Sequence, residues 1–378
     1  MSGYSVEALS RSTLGAERPR PQSLFQRHPI PSPLPVRIGE LERSNENQWD
    51  AYVDAHPHGT LFHTLAWRNA VQYSFGHKAI YLAAFRDQFV GVLPLFLVPD
   101  FPFGRILVSV PYAVGGGILA NEPEVTAALL ATALERAREF RCRRIELRSE
   151  HGALPDRPVV DRYVGFRREL PEIRDEVLPW LPRKARAVVR RAIERRQLEI
   201  AFEDGFLADV WRLYARNMRR LASIAYPFCF FRALAEQTPR AHWVSVATLG
   251  GTPVAGLLTF LHRDRVIPYF FGSTESARRC GAANLLYFRL MQRAVVEGFR
   301  VFDFGRTRRE NLGSLNFKRF QGFEPRPLGY QAVALGDEPS EMLSPDHRLL
   351  KPIRALWPRL PFFVTNALSA LVAPRIPG

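Results

Sequence analysis

The order of its apolar segments constrains this chain more than any other feature, because the same order occurs twice. In the first half, strand-like segments at 78–85 and 88–98 flank a polar turn, and a third at 105–111 leads into Gly115–Gly117. A helical stretch rich in alanine and leucine follows, and a strand at 143–148 closes the block. This succession of strand and helix patterns is typical of an α/β fold.

The second half repeats the succession. Strand-like segments at 242–249, 252–262 and 265–273 precede a helical stretch at about 283–297, and a strand at 301–305 closes the block. The sequence therefore predicts a duplicated αβ unit with mixed sheets. A chance similarity between two α/β stretches is the alternative.

The length of the chain indicates how many domains it can form. A chain of 378 residues has room for about two domains. We predict a disordered proline-rich arm over 1–40, a first domain over 41–170, a basic linker helix over 171–198, a second domain over 199–336 and a tail over 337–378 that contains an amphipathic segment.

The net charge of +15 attracts anionic partners such as nucleic acid, phosphorylated sugars, nucleotide cofactors or anionic lipid. An arginine-rich composition inherited from a GC-rich genome is the other explanation.

The three cysteines form no CxxC pair, which argues against a disulfide framework or a cysteine zinc site and suits a reducing compartment. No secretory signal core and no stretch of 18 apolar residues is visible, so we expect a cytoplasmic protein without a transmembrane helix.

The linker carries the densest charge of the chain. Seven of the fourteen residues at 183–196 are basic. Arg183, Arg186 and Arg190 share one face of the predicted helix, where they could bind phosphate oxygens. A solvated basic helix is the alternative.

The segment after the second closing strand has a recognisable pattern. Asp303 and Gly305 lie in that strand, the pair Phe317-Lys318 follows, and then comes 320–322, Phe-Gln-Gly. With a lysine and an arginine two residues apart in the linker helix, this order resembles the Fem (FemAB-like) family of aminoacyl and acyl transferases. It is most similar to FemAB-related proteins associated with exosortase (PEP-CTERM) and exopolysaccharide gene clusters. The resemblance covers roughly 45–335 and implies two tandem GNAT-like domains, each a mixed, mostly antiparallel sheet flanked by helices.

The resemblance also implies site residues. Lys318 would stabilise the negative charge that develops during acyl transfer, and Phe317 would line the site. A solvent-exposed charge is the alternative for Lys318, and core packing is an equal alternative for Phe317. Asp303 would orient the nucleophile or accept its proton, although a structural ion pair with Arg306 or Arg308 is an equal alternative. The resemblance and the charge pattern together suggest that Lys184 and Arg186 hold phosphates of the donor or the acceptor. We also assign Arg306 to substrate binding.

A second motif is shorter. Arg278, Gly281 and Ala283 fit the R-x-x-G-x-A pattern with which acetyltransferases hold the pyrophosphate of coenzyme A at a helix N-terminus. An ordinary connection from a loop into a helix is the alternative.

His56, His58 and His63 cluster in one loop without accompanying carboxylate or cysteine ligands, so we interpret them as structural and expect no metal site.

Together these features predict an acyltransferase that acts on a cell-envelope glycan or a lipid-linked precursor. The donor, acyl-CoA or aminoacyl-tRNA, would be a co-substrate, and no tightly bound cofactor is expected. Transfer RNA is therefore a candidate partner, and DNA is not. The alternative function is a non-catalytic protein that binds anionic polysaccharide or nucleic acid in a biosynthetic assembly.

The tail mixes basic and apolar residues. Its basic residues are Lys351, Arg354 and Arg359, and its large apolar residues include Leu350, Trp357, Phe362 and Phe363. This pattern is consistent with a helix on the inner face of the cytoplasmic membrane. Packing against the body of the protein explains the same residues, and we favour packing.

Overall fold

Two mixed β-sheets with helices against them carry the fold. The computed structural model describes residues 35–100, 104–155, 157–336 and 351–376. The strands are β1 (Arg37–Glu40), β2 (Lys78–Phe85), β3 (Phe89–Asp100), β4 (Gly104–Ser109), β5 (Leu119–Ala120), β6 (Arg144–Ser149), β7 (Tyr163–Glu169), β8 (Leu198–Phe202), β9 (His242–Leu249), β10 (Thr252–His262), β11 (Arg265–Ser273), β12 (Val301–Arg308), β13 (Pro325–Pro327) and β14 (Gly329–Ala334). The helices are α1 (Glu46–Ala55), α2 (Leu65–Phe75), α3 (Pro123–Glu139), α4 (Val177–Trp180), α5 (Arg183–Arg195), α6 (Leu207–Arg220), α7 (Phe228–Gln237), α8 (Glu275–Cys280), α9 (Ala282–Val296), α10 (Leu312–Phe320), α11 (Lys351–Leu356) and α12 (Phe362–Val372).

The strand order confirms the predicted fold class. The first sheet runs β1-β2-β3-β4-β6-β14, with β5 paired to β3, and the second runs β13-β7-β12-β11-β10-β9-β8. Neighbours are antiparallel except β4 with β6 and β11 with β12. Four predicted strands match the structure residue for residue, namely β2, β9, β10 and β11. Their apolar residues lie in the core, which explains why local pattern was sufficient to find them.

Each half of the chain gives one strand to the sheet of the other half. β7 precedes the basic helix in sequence but pairs with β12 in the second sheet. β14 follows the second repeat but pairs with β6 in the first sheet, from Gly329 opposite Ser149 to Ala334 opposite Arg144. The domain boundaries at 170 and 199 stay a prediction, and this exchange means that neither sheet is made by one stretch of chain.

The predicted arm over 1–40 lies mostly outside the described residues. Its last part, Arg37–Glu40, is β1 and pairs antiparallel with β2.

The helix predicted within the linker is α5, which buries Ala185, Val189 and Ala192 and leaves most of its basic side chains exposed. This division follows from the spacing of the three small apolar residues along one helical face.

In each sheet the two parallel strands pair over only a few residues and then diverge, which leaves an opening between them. β4 and β6 pair only from Leu107 to Ser109, and β11 and β12 pair only at Arg265 and Val266. Beyond that point β12 bulges between Asp303 and Arg306, where Gly305 adopts a φ of 64°. Positive φ favours glycine because it has no Cβ, so this residue permits the bulge.

The loop after β4 in the first sheet lies against the bulge of β12 in the second. The loop after β4 folds back so that the Ser109 hydroxyl accepts hydrogen bonds from the backbone N–H groups of Gly117 and Arg148. Val114 of this loop lies against the bulge of β12, since its Cγ2 would be 3.1 Å from a Cβ on Gly305. The bulge of the second sheet therefore lies at the junction with the first.

The tail packs only in part, so the favoured packing interpretation holds for some of its residues. Trp357 is buried and Phe362 is half-buried against the core, whereas Phe363 is exposed. Leu350 lies outside the described residues. In the part of the chain that the structure describes, no helix has the length and apolarity needed to cross a bilayer.

Candidate functional site

Lys318 lies under the bulge of β12. Its Nζ donates to the carbonyl oxygens of Phe304, Gly305 and Arg306, with distances of 2.7, 3.3 and 3.2 Å. An ammonium has three N–H donors, so these contacts employ all of them. Burial lowers the pKa of Lys318 to about 7, and the negative charge of Asp303 opposes this decrease. In this arrangement the side chain holds the bulge in place.

Asp303 and Glu150 are two carboxyl groups at the junction whose negative charges repel each other. The Oδ1 of Asp303 accepts a hydrogen bond of 2.8 Å from the backbone N–H of Gly305. Burial raises the pKa of Glu150 to about 7; the charge of Asp303 adds to the increase, while Arg265 and Arg167 oppose it. Since Glu150 changes its charge near neutral pH, it can both accept and return a proton there.

Tyrosines surround Arg306 on the same strand. Its guanidinium carbon lies 4.4 Å from the centre of the Tyr163 ring, and its Nη1 donates to the Tyr330 hydroxyl at 3.4 Å. Burial lowers the pKa of Arg306, and electrostatic interaction with these two tyrosines and with Tyr269 and Tyr226 raises it above its ordinary value. Within the described residues, no aspartate or glutamate forms an ion pair with Arg306, so its charge is available to a carboxylate or phosphate.

The alternative ion pair of Asp303, with Arg306 or with Arg308, is not formed. All three residues are described, and the carboxylate of Asp303 turns back to the strand's own backbone. Phe317 packs in the core beside the Tyr287 and Phe304 rings, with centroid distances of 5.5 and 6.3 Å. Its contacts are those of a core residue.

Lys184 and Arg186 lie in the first turn of α5. Lys184 is exposed, Arg186 is partly exposed, and neither forms an ion pair with a carboxylate of the described residues. A Cβ on Gly322 would lie 3.0 Å from Pro182, the residue before α5. The structure therefore brings the start of α5 beside the end of α10, the helix that carries Lys318.

The coenzyme A motif lies at the other end of α5. Arg278 is exposed in α8, and Gly281, with a φ of 75°, joins α8 to α9. A Cβ on Gly281 would lie 3.2 Å from Val188, so α5 covers this connection. The pyrophosphate role of Arg278, Gly281 and Ala283 stays a prediction, and these residues do not join the group on β12.

A groove of about 830 Å³ lies between α5, α9 and β8. Leu198, Ile200 and Leu285 contribute apolar side chains, and Arg196 and Arg289 contribute positive charge. None of the predicted site residues lines it.

The histidines next to the first helix contact their own loop and one another. The Nδ1 of His63 lies 2.8 Å from the Thr60 hydroxyl, and burial lowers the pKa of His63 to about 3. The ring of His58 stacks on that of His151 at 4.5 Å. The described part of the chain contains no group of three or more His, Cys, Asp or Glu side chains placed to hold a metal ion.

Sequence patterns missed Glu150, Tyr163 and Tyr330. Glu150 follows the closing strand of the first repeat, and that position is the only signal that could have pointed to it. Tyr163 and Tyr330 lie on the two exchanged strands β7 and β14, for which the repeat offers no pattern.

Comparison with known proteins agrees with this architecture. Residues 182–319, from the start of α5 into α10, match the family model described as an acetyltransferase (GNAT) domain. No curated protein sequence matches the chain.

Among solved structures, FemX is similar with a TM-score of 0.61 and 15% identity, covering 85% of this chain and 100% of FemX. A tandem GNAT protein from the clavulanic acid biosynthesis pathway has a TM-score of 0.52 and 13% identity, covering 81% and 100%. A conserved protein of unknown function from Bacteroides thetaiotaomicron has a TM-score of 0.52 and 11% identity, covering 79% and 99%. At these identities the similarity establishes the fold, which is a tandem arrangement of two GNAT-type sheets.

Proposed function

We propose that this protein transfers an acyl or aminoacyl group to an amine or hydroxyl of a cell-envelope glycan or a lipid-linked precursor. The observation that carries the proposal is the bulge of β12 at the junction, which carries Asp303 and Arg306 and lies within electrostatic reach of Glu150. The GNAT match and the fold shared with FemX support the reaction class. The resemblance of the sequence supports a place in peptidoglycan or exopolysaccharide synthesis, including exosortase-associated systems.

In the proposed reaction, the acceptor nitrogen or oxygen attacks the carbonyl carbon of the donor. A new C–N or C–O bond forms, and the thioester or ester bond to the donor breaks. Glu150, as a carboxylate next to Asp303, accepts the acceptor's proton and passes it to the departing thiolate or alkoxide. Arg306 binds an anionic group of the substrate. Through its three backbone contacts Lys318 holds the bulge that positions Asp303 and Arg306, and below about pH 7 its ammonium adds a positive charge next to the site.

The two candidate donors would require different residues of this chain. Acyl-CoA would require Arg278, Gly281 and Ala283 for its pyrophosphate, as acetyltransferases do. Aminoacyl-tRNA would contact the exposed face of α5, where Lys184 and Arg186 are without carboxylate partners. Either donor acts as a co-substrate, and a lipid-linked acceptor places the protein at the inner face of the cytoplasmic membrane.

A transfer assay with Arg306→Gln tests the proposal. The purified chain would receive acyl-CoA or charged transfer RNA as donor and a nucleotide-linked or lipid-linked glycan precursor as acceptor. Losing a charge-assisted contact is expected to lower kcat/KM by about 100-fold. Arg309→Gln is the matched control, because Arg309 is an exposed arginine just past β12 that pairs with Asp161. Full activity of Arg306→Gln would refute the assignment of the site.

The basic face of α5 favours the second candidate function, a binding protein without catalysis. Seven of the residues at 183–196 are basic, and the only acidic one is Glu194. Such a protein would bind arbitrary nucleic acid or anionic polysaccharide with a steep dependence on salt concentration. It would show no transfer with any donor, which separates it from the enzyme.

A further inference from the structure

The C-terminal helix α12 turns its apolar side away from the protein. Its buried side chains are those of Thr365 and Ser369, and the Ser369 hydroxyl accepts a hydrogen bond from the backbone N–H of Ala225. The side chains of Phe363 and Leu371 are 74% and 63% exposed. This arrangement is the reverse of a surface helix in water, which buries its apolar face.

The exposed side is continuous along the helix. Residues are 100° apart around an α-helix, so Phe363, Leu368 and Leu371 lie in one sector. Leu356 before the helix and Ile376 after it are also exposed. A continuous apolar surface of this kind marks a contact with another molecule.

The charge around this surface is positive. Residues 351–376 contain lysine and arginine but no aspartate or glutamate. Arg359 and Arg375, both exposed, lie before and after α12. The helix has 11 residues, which is too short to span a bilayer but enough to lie in its surface.

We propose that α12 docks this protein on an anionic phospholipid surface. Phe363, Leu368 and Leu371 insert among the acyl chains, and Arg359 and Arg375 contact the phosphate headgroups. Positive charge beside an apolar helix face favours this partner, because anionic lipid supplies both the apolar and the negative component.

The docked helix would lie close to the site. The hydroxyl of Tyr112 donates to the carbonyl of Ala373, just after α12, at 3.1 Å. The carbonyl of Tyr112 accepts from the hydroxyl of Tyr269 at 2.6 Å, and Tyr269 interacts electrostatically with Arg306. Docking would therefore bring the site close to a lipid-linked acceptor in the membrane. This consequence rests on the proposed function, whereas the docking itself does not.

Vesicle flotation of the full chain tests the docking. Wild-type protein is expected to float with vesicles of equal parts phosphatidylglycerol and phosphatidylcholine, and less with phosphatidylcholine alone or at high salt. The double substitution Phe363→Ser and Leu371→Ser is expected to lower the partition coefficient by at least about tenfold. Val296→Ser with Leu312→Ser is the matched control, since these side chains are 66% and 65% exposed elsewhere.

Two results would overturn the docking proposal. One is equal flotation of the wild type and the Phe363 and Leu371 double variant. The other is a wild-type dimer in light scattering that becomes monomeric in the double variant and never floats, because a second copy would then cover the helix. Flotation without transfer under any condition would count against the proposed function only, and transfer without flotation would count against docking only.

Discussion

Replacing Lys318 with Met is expected to remove a pH dependence of stability from the protein. Burial, opposed by Asp303, lowers the pKa of Lys318 from 10.5 to about 7 in the folded chain. Between these values the unfolded chain binds a proton that the folded chain lacks, so the free energy of unfolding rises with pH. The contribution is complete above the unfolded value and is lost as pH falls through about 7.

The size of the effect follows from these two pKa values. Between about pH 7.5 and about pH 9.5, Lys318 is expected to add about 2.5 kcal/mol to the free energy of unfolding. Urea unfolding at several pH values measures it, and the difference between wild type and Lys318→Met separates Lys318 from the other groups. Lys184→Met, at an exposed lysine, is expected to keep the wild-type slope.

Equal slopes in the wild type and Lys318→Met would refute this reasoning. The three backbone carbonyls that accept from Nζ favour the ammonium, and equal slopes would mean that they outweigh burial. Lys318 would then be a permanent cation that stabilises negative charge and exchanges no proton. An NMR titration of the Lys318 Cε signal in the wild type checks the same pKa without relying on the variant.

Two further predictions concern the junction and the packing. Because the pKa of Glu150 is raised to about 7, its carboxylate forms as pH rises through that value, so wild-type kcat should rise there. Glu150→Gln should lose that rise and about 100-fold in kcat, whereas exposed Glu139→Gln should leave the pH profile unchanged. Gly272→Ala should lower the free energy of unfolding by about 3 kcal/mol in urea titrations, because its Cβ would fall 2.2 Å from the backbone of Leu213 in α6. Gly205→Ala, whose Cβ meets nothing within 4 Å, should not destabilise, and equal losses for both glycines would contradict this account.

The sequence by itself was sufficient for the repeated units and for part of the site. Strands such as 242–249 and 265–273 were found because their apolar residues form unbroken runs bounded by turns. Asp303, Arg306 and Lys318 lie within one short segment, so a strand followed by a helix brings them together without any long-range contact. These features depend on residues that are close together in the sequence, and a local sequence pattern is enough to predict them.

The exchanged strands were decided only by the tertiary structure. β7 and β14 cross between the sheets, and their pairing brings Tyr163 and Tyr330 to Arg306. The charges of Glu150 and Asp303 interact although more than a hundred residues separate them in the chain. Pairing of distant strands depends on the register and on the burial of whole faces, which no local pattern contains.

The orientation of α12 is the second such feature. The sequence shows that the tail mixes apolar and basic residues, and it leaves open which side faces the protein. The structure places Thr365 and Ser369 inward because the surface of α6 and the loop after it accept small polar side chains there. An amphipathic pattern measures the separation of polar and apolar residues around a helix, and only the surface it packs against determines which of the two sides is buried.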